Sequence, residues 1–210
     1  MIETLVAAAV RLFARFVTAV RAEWRGFAPD DTPRVYFANH NSHGDFVLVW
    51  TVLPDPVRNR TRPVAAAEYW RKDKLRRFFG ERVFNAVLVE REAEKRVQDP
   101  IGQMAEALDQ GSSLILFPEG TRNLTELPLL PFKSGIYRLA LARAGLEMVP
   151  VWIANLNRVM PKGELIPVPL ICTVAFGTPL RLRAGEEKTA FLERARAALL
   201  RLRPEGAAGP

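Results

Sequence analysis

His40 and Asp45 stand five positions apart in the run NHNSHGD, and the later segment FPEGTR, Phe117 to Arg122, joins a carboxylate, a glycine and a guanidinium. An imidazole held by a carboxylate can take a proton from a hydroxyl group, because the carboxylate fixes the tautomer and stabilises the imidazolium that forms. A guanidinium grips a phosphate with two parallel N–H donors, and a residue such as Gly120 lets the backbone pass close to a ligand. Together the two segments predict an enzyme that activates a hydroxyl on a phosphate-bearing substrate.

That chemistry sets conditions on the chain. Five helical residues turn through about 500°, so His40 and Asp45 can meet only if the histidine sits on a loop and the aspartate in the first turn of the helix that follows. The preceding run RVYFA reads as a strand, which puts His40 at the C-terminal edge of a sheet, where ligands of open α/β sheets gather. Ser42 followed by Asp45 is also a capping-box pattern, and the two roles of Asp45 are compatible. His43 is a rival base on the first helical turn. In the second segment the strand SLILF delivers Glu119, Gly120, Thr121 and Arg122 to a loop on the same edge, with Lys133 following in PFKSG. The alternative there is a local Glu119–Arg122 ion pair, worth little when exposed.

Apolar runs alternating with helical patterns place strands at 34–38, 86–89, 113–117, 148–153 and 169–176. Helices are expected from Asp99 and Pro100 to before Gly111, from about Ser134 to Ala144, and from Glu186 to Arg203. This rhythm predicts a single α/β domain over 26–204, a mainly parallel central sheet flanked by helices, with a frayed tail at 205–210. Residues 1–25 read as an amphipathic helix. Ile2, Leu5, Val6, Ala9, Leu12, Phe13, Phe16, Val17, Val20 and Trp24 fall on one side, and Arg11, Arg15, Thr18, Arg21 and Arg25 on the other. Such a helix suits an anionic bilayer surface or a seat on its own sheet. Between Arg58 and Arg82, nine Lys or Arg residues are interleaved with Tyr69, Trp70, Phe78 and Phe79. That pattern fits a lipid surface, an RNA, or a solvated helix with its rings turned inward.

Thirty Lys and Arg oppose 23 Asp and Glu, a formal charge of +7 that biases the surface toward anionic partners. Cys172 is the single cysteine, which excludes an internal disulfide and a thiol cluster for zinc; in its apolar strand it reads as an inert core residue. No uninterrupted apolar run is long enough for a membrane span, and Pro167, Pro169 and Pro179 break the longest uncharged one. Glu3, Arg11 and Arg15 argue against a secretory signal. The expectation is a cytoplasmic protein, peripheral or monotopic on the cytoplasmic face of the membrane.

NHNSHGD, VLVER (Val87 to Arg91), FPEGTRN and VPVWI (Val149 to Ile153) occur in the order and approximate spacing of the four motifs of the glycerolipid acyltransferases, which include 1-acylglycerol-3-phosphate acyltransferase. The chain resembles that family over nearly its whole length, PFKSG and VAFGTP included. The resemblance implies His40 as general base with Asp45 as its partner, and Arg91, Glu119, Gly120, Thr121, Arg122 and Lys133 around the acceptor's glycerol phosphate. It implies an acyl donor, acyl-CoA or acyl-carrier protein, a lysophospholipid acceptor, an anionic membrane surface as partner, and no metal, cofactor or nucleic acid. Gly44, Glu90 and Ser134 depart from the family's commoner residues, which leaves the acceptor open among lysophosphatidate, other lysophospholipids and lyso-lipids with an amino-acid head. Two other classes compete. A hydrolase using Ser42 or Ser134 lacks a G-x-S-x-G elbow, and a non-enzymatic RNA- or membrane-binding module built on 58–82 lacks a nucleic-acid motif.

Overall fold

The computed structural model describes residues 2–92, 94, 98–154 and 172–204. In chain order the elements are α1 (Ile2–Thr18), β1 (Arg21–Trp24), β2 (Val35–Ala38), α2 (Asp45–Val52), α3 (Asp55–Arg58), β3 (Thr61–Ala66), α4 (Ala67–Trp70) and α5 (Lys74–Arg77). A π-helical turn (Phe78–Val83) follows, then β4 (Val87–Val89), α6 (Pro100–Asp109), β5 (Ser113–Leu116), α7 (Gly135–Ala142), β6 (Met148–Ala154), β7 (Thr173–Phe176) and α8 (Lys188–Leu200). The strands form one seven-stranded sheet in the order β1-β7-β6-β2-β5-β3-β4. All pairs are parallel except β6 with β7, so the predicted α/β class with a mainly parallel sheet is what the chain adopts.

Period-two alternation sorts the central strands between two cores. Val35, Phe37, Leu114, Met148 and Trp152 face α6, α7 and α8, while Tyr36, Ala38, Ile115, Val149 and Val151 face α1 and α2. With both faces covered, β2 is buried at every position, which explains why VYFA reads as an unbroken apolar run. Each large apolar side chain removed from water this way contributes roughly 1.5–3 kcal/mol.

Two stretches differ from the sequence expectation. The first helix ends at Thr18, seven residues short of the predicted 1–25. Ala19 takes φ +43, and Arg21–Trp24 pair with Thr173–Phe176 as an edge strand. Trp24, expected at the interfacial end of a helix, instead stacks on Phe176 at 4.2 Å. The strand β3 was hidden by Pro63 and by the surrounding arginines. Its residues 61–63 pair with β5 and 64–66 with β4, so each half carries one ladder; a proline fits such a strand better than one paired on both sides throughout. Of the predicted strand at 169–176, positions 169–171 lie outside the described residues, as does the expected tail at 205–210.

α1 seats its small residues inward. Ala14 and Thr18 are buried and Ala7, Val10 and Val17 pack against the same core, while Arg11 bonds Asp55 at 3.3 Å. The large side chains Ile2, Leu5, Leu12, Phe13 and Phe16 point outward, Phe16 with 84 % of its surface exposed. The helix thus does both things its sequence allowed: it docks on the domain and keeps a bulky apolar row unpartnered. Among the described residues no helix is long and apolar enough to cross a membrane.

The end of the sheet where β2 and β6 begin is held by Arg34, whose side chain is almost fully buried. Its guanidinium donates to Asp30 at 2.5 and 2.8 Å and to Glu147 at 2.6 Å, and its backbone N–H donates to Ser113 Oγ on β5 at 3.0 Å. The bond from Arg34 holds the Glu147 carboxyl below its ordinary range, and does the same to Asp30. A carboxyl depressed in the folded state stabilises the fold above its unfolded pKa and loses that contribution as pH falls through the folded value. The melting temperature is therefore expected to fall on acidification from about pH 5 downward, and to fall less steeply in Glu147→Gln, the two curves converging. Parallel curves between pH 6 and pH 3 would contradict this role for Glu147.

Candidate active site

Because β2 and β5 are parallel neighbours, the loops that leave them emerge at the same edge of the sheet. The first carries His40; the second carries Phe117 to Arg122. Asn39, buried at the end of β2, locks the first loop to β6 by donating to Ile153 O at 3.0 Å and accepting from Ile153 N–H at 2.7 Å. Asp45 opens α2, as the spacing required. Its Oδ2 lies 2.9 Å from His40 Nδ1 and accepts from the N–H groups of Asn41 and Ser42 at 2.7 and 2.8 Å. The capping box is not formed: Gly44, not Ser42, caps α2 and no side chain bonds the cap, so the bond from Ser42 N–H ties the His40 loop to Asp45 instead. Only 1 % of Asp45 is exposed. With Nδ1 donating to it, Nε2 of His40 is the nitrogen left to accept a proton.

The second loop braces the first. Glu119 is 2 % exposed and accepts two backbone N–H bonds, from His40 at 2.8 Å and from Leu130 at 2.8 Å. Asn123 N–H returns a bond to His40 O at 2.6 Å. Burial pushes the Glu119 carboxyl above its ordinary range, opposed by those two N–H donors. The ring of Phe117 stacks on His40 at 4.2 Å and 21°. Gly120 adopts φ +70, and a Cβ there would come within 2.8 Å of the Lys133 side chain. No other residue type fits that turn without displacing Lys133.

A cavity of about 400 Å³ opens over this edge. Its polar lining includes His40, His43, Glu68, Arg91, Gly120, Thr121 and Arg122, and its apolar wall is built by Phe46, Val64, Trp70, Val89 and Leu116. Of the predicted substrate-contacting residues, Arg91, Gly120, Thr121 and Arg122 thus share one space with His40. Glu119 and Lys133 do not line it. The carboxylate of Glu119 is consumed by backbone N–H groups, and Lys133 crosses Gly120 with its own N–H donating to Pro118 O at 2.8 Å. The alternative Glu119–Arg122 pair is absent for the same reason, and among the described residues Arg122 has no carboxylate partner. Arg91 lies 3.8 Å from Glu68.

His43 faces the cavity but not Asp45; it stacks on Tyr69 at 5.4 Å and 14°. Burial lowers its pKa, and Arg122 and His40 lower it further. Neither Ser42, whose Oγ accepts from Gly44 N–H at 3.2 Å, nor Ser134, at the start of α7, lines the cavity, so the hydrolase reading lacks a nucleophile there. Cys172 is buried and its thiol is pushed up to about 11 by that burial, in keeping with an inert core residue. No group of His, Cys, Asp and Glu among the described residues could hold a metal ion. Sequence reasoning missed Phe117, Asn39 and Glu68. Phe117 heads the FPEGTR segment and was in plain view, whereas Glu68 carries no signal apart from the fold.

An imidazole–carboxylate pair, two guanidinium groups and an apolar wall thus surround one cavity at the C-terminal edge of a parallel sheet. The family model for acyltransferases matches residues 20–154, which include every cavity-lining group, so the chain belongs to the acyltransferase family. It is 31 % identical over 160 residues to mouse 1-acyl-sn-glycerol-3-phosphate acyltransferase alpha, covering 73 % of this chain and 52 % of the relative. It is 28 % identical over 137 residues to the Haemophilus influenzae 1-acyl-sn-glycerol-3-phosphate acyltransferase, covering 59 % and 51 %. The chain thus spans about half the length of these curated relatives. The crystal structure of the 1-acyl-sn-glycerophosphate acyltransferase from Thermotoga maritima shares the fold, with TM-score 0.72 at 21 % identity over 95 % of this chain and 78 % of that one.

The part given to Glu119 is testable without any substrate. In Glu119→Gln one acceptor oxygen becomes an N–H₂ group facing a backbone N–H donor. The expected stability loss is about 1–3 kcal/mol by denaturant unfolding, because a buried donor is left unpaired. A variant as stable as the parent would show that Glu119 does not brace the His40 loop.

Proposed function

We propose that this protein transfers an acyl group from a thioester donor, acyl-CoA or acyl-carrier protein, to the free hydroxyl of a lysophospholipid, with 1-acylglycerol-3-phosphate as the leading acceptor. The observation that carries the reading is that the His40–Asp45 dyad opens into the same cavity as Arg91 and Arg122. Arg122 and Arg91 hold the acceptor's phosphate, and the apolar wall takes an acyl chain. His40 Nε2 removes the proton of the acceptor hydroxyl as its oxygen attacks the thioester carbonyl, with Asp45 stabilising the imidazolium. Collapse of the tetrahedral intermediate breaks the C–S bond, and the imidazolium returns its proton to the departing thiolate. The reaction needs no enzyme nucleophile. The relatives' names support the acceptor class, and the two arginines lining the cavity suit its phosphate.

Purified protein is expected to release thiol from acyl-CoA only when a lysophospholipid is added. His40→Ala should lower kcat on the order of 10²–10⁴-fold, while His43→Ala retains most of it. Because the base works as the neutral imidazole, kcat/KM should fall toward acid pH in the parent. Retained activity in His40→Ala, with loss in His43→Ala, would reassign the base.

The outward apolar row of α1 adds a place of work: a peripheral seat on an anionic membrane, where the acceptor resides. Sedimentation with anionic vesicles should weaken when Leu12 and Phe16 are both replaced by Glu. Unchanged sedimentation would remove α1 from membrane attachment.

A further inference from the structure

Beside the cavity runs the segment RKDKLRR, Arg71 to Arg77, with five cations against one acid. It follows α4 directly, and α4 supplies Tyr69 and Trp70 to the cavity wall. Arg76 lies over the Tyr69 ring at 4.6 Å, and Tyr69 in turn stacks on His43, so the segment begins at the cavity mouth. Its arginines have local partners: Arg71 with Glu90 at 3.3 Å, Arg76 with Asp73 at 3.2 Å, and Arg77 with Glu81 at 3.4 Å. Lys72 and Lys74 have no carboxylate partner among the described residues, and both are exposed. Between them and the two arginines of α5, Leu75 stands out with 67 % of its surface exposed.

An exposed leucine next to two lysines without carboxylate partners matches a surface that is apolar below and anionic above. The neighbouring elements extend that surface. α5 runs straight into the π turn, and the π turn meets α1 through Arg82 and Glu3 at 3.6 Å. α1 carries the outward row of Ile2, Leu5, Leu12, Phe13 and Phe16. We propose that Lys72, Lys74 and Leu75 form a second lipid contact, which seats the mouth of the cavity on an anionic bilayer so that a lysolipid passes from the membrane into the site beside Tyr69. The proposal deepens the acyltransferase reading and rests on it for the acceptor, but not for the lipid contact itself. A bilayer is favoured over an acidic carrier protein because a single leucine offers little to a protein partner, whereas α1, joined to the same stretch through Arg82 and Glu3, keeps an apolar row of its own exposed.

The test uses the full chain and two variants, Leu75→Glu and the double change Lys72→Gln with Lys74→Gln. Vesicles of phosphatidylcholine alone are compared with vesicles that also contain phosphatidylglycerol. The parent should bind the mixed vesicles more tightly, and the double variant should lose roughly ten- to thirty-fold in that binding, each surface cation being worth about five-fold. Both variants should keep the parent's kcat and KM for a short-chain lysophosphatidate free in solution, while KM for a long-chain acceptor embedded in vesicles rises. Vesicle binding unchanged in both variants overturns the proposal. So does an equal loss with the soluble acceptor, which would make the segment part of the site, and so does weakened use of acyl-carrier protein with vesicle binding intact. If the parent acylates neither acceptor, the acyltransferase reading fails, while the binding arm still decides the lipid contact.

Discussion

A strand that leaves a sheet carries backbone groups that have lost their ladder partners, and the loop after β2 settles those of His40 against the loop after β5. Its N–H is accepted by Glu119 and its C=O accepts from Asn123 N–H. Asp45 Oδ2 then gathers the imidazole and two more N–H groups at one buried point. All three bonds converge on Oδ2, while Oδ1, also buried, makes none, so the burial of this carboxylate is offset at one oxygen only. The direction of the ring therefore follows from backbone geometry, and Nε2 is aimed before any ligand arrives. Such preorganisation is what a general base requires, because reorientation during the reaction would add to the barrier.

The same loop pair divides the labour of the FPEGTR segment. Phe117 flanks the imidazole, Glu119 faces inward and holds backbone, and the positive φ of Gly120 turns the chain so that Thr121 and Arg122 reach the cavity. Arg122 leaves its nearest acid in sequence otherwise engaged and remains available to an anion. Burial, and then that positive charge, lower the pKa of His43. On the other side of the cavity the wall is apolar and leads to the basic, leucine-bearing surface of α5. A substrate with a charged head and a hydrocarbon tail fits this gradient better than a small polar metabolite does.

Much of this arrangement was legible from residues alone. The near-continuous apolar runs in RVYFA, SLILF and MVPVWI signal two-sided burial, their alternation with helical stretches points to a parallel sheet, and the five-residue spacing admits only a loop histidine and a helix-start aspartate. What stayed hidden depended on tertiary partners. Arg21–Trp24 carries a helical pattern up to Trp24, but the open edge of β7 claims it as a strand. Pro63 and Arg62 disguise β3, which tolerates them because each half pairs on one side. Glu119 looked like a ligand for substrate because an acid in a functional motif reads that way; only coordinates reveal that both its oxygens are taken by N–H groups. The inward face of α1 is made of small residues, Ala7, Val10 and Ala14, which a helical wheel passes over in favour of the larger row that stays outside.

The central claim is that one bound headgroup is felt at once by His40 and by Arg122. Nitrogen NMR of the histidine side chains, recorded while a short-chain lysophosphatidate is titrated in, tests it most directly. The account predicts that the His40 ring resonances shift with saturation in the parent and that the midpoint moves to higher concentration in Arg122→Met. Saturable binding that depends on Arg122 but leaves the His40 resonances in place would contradict it.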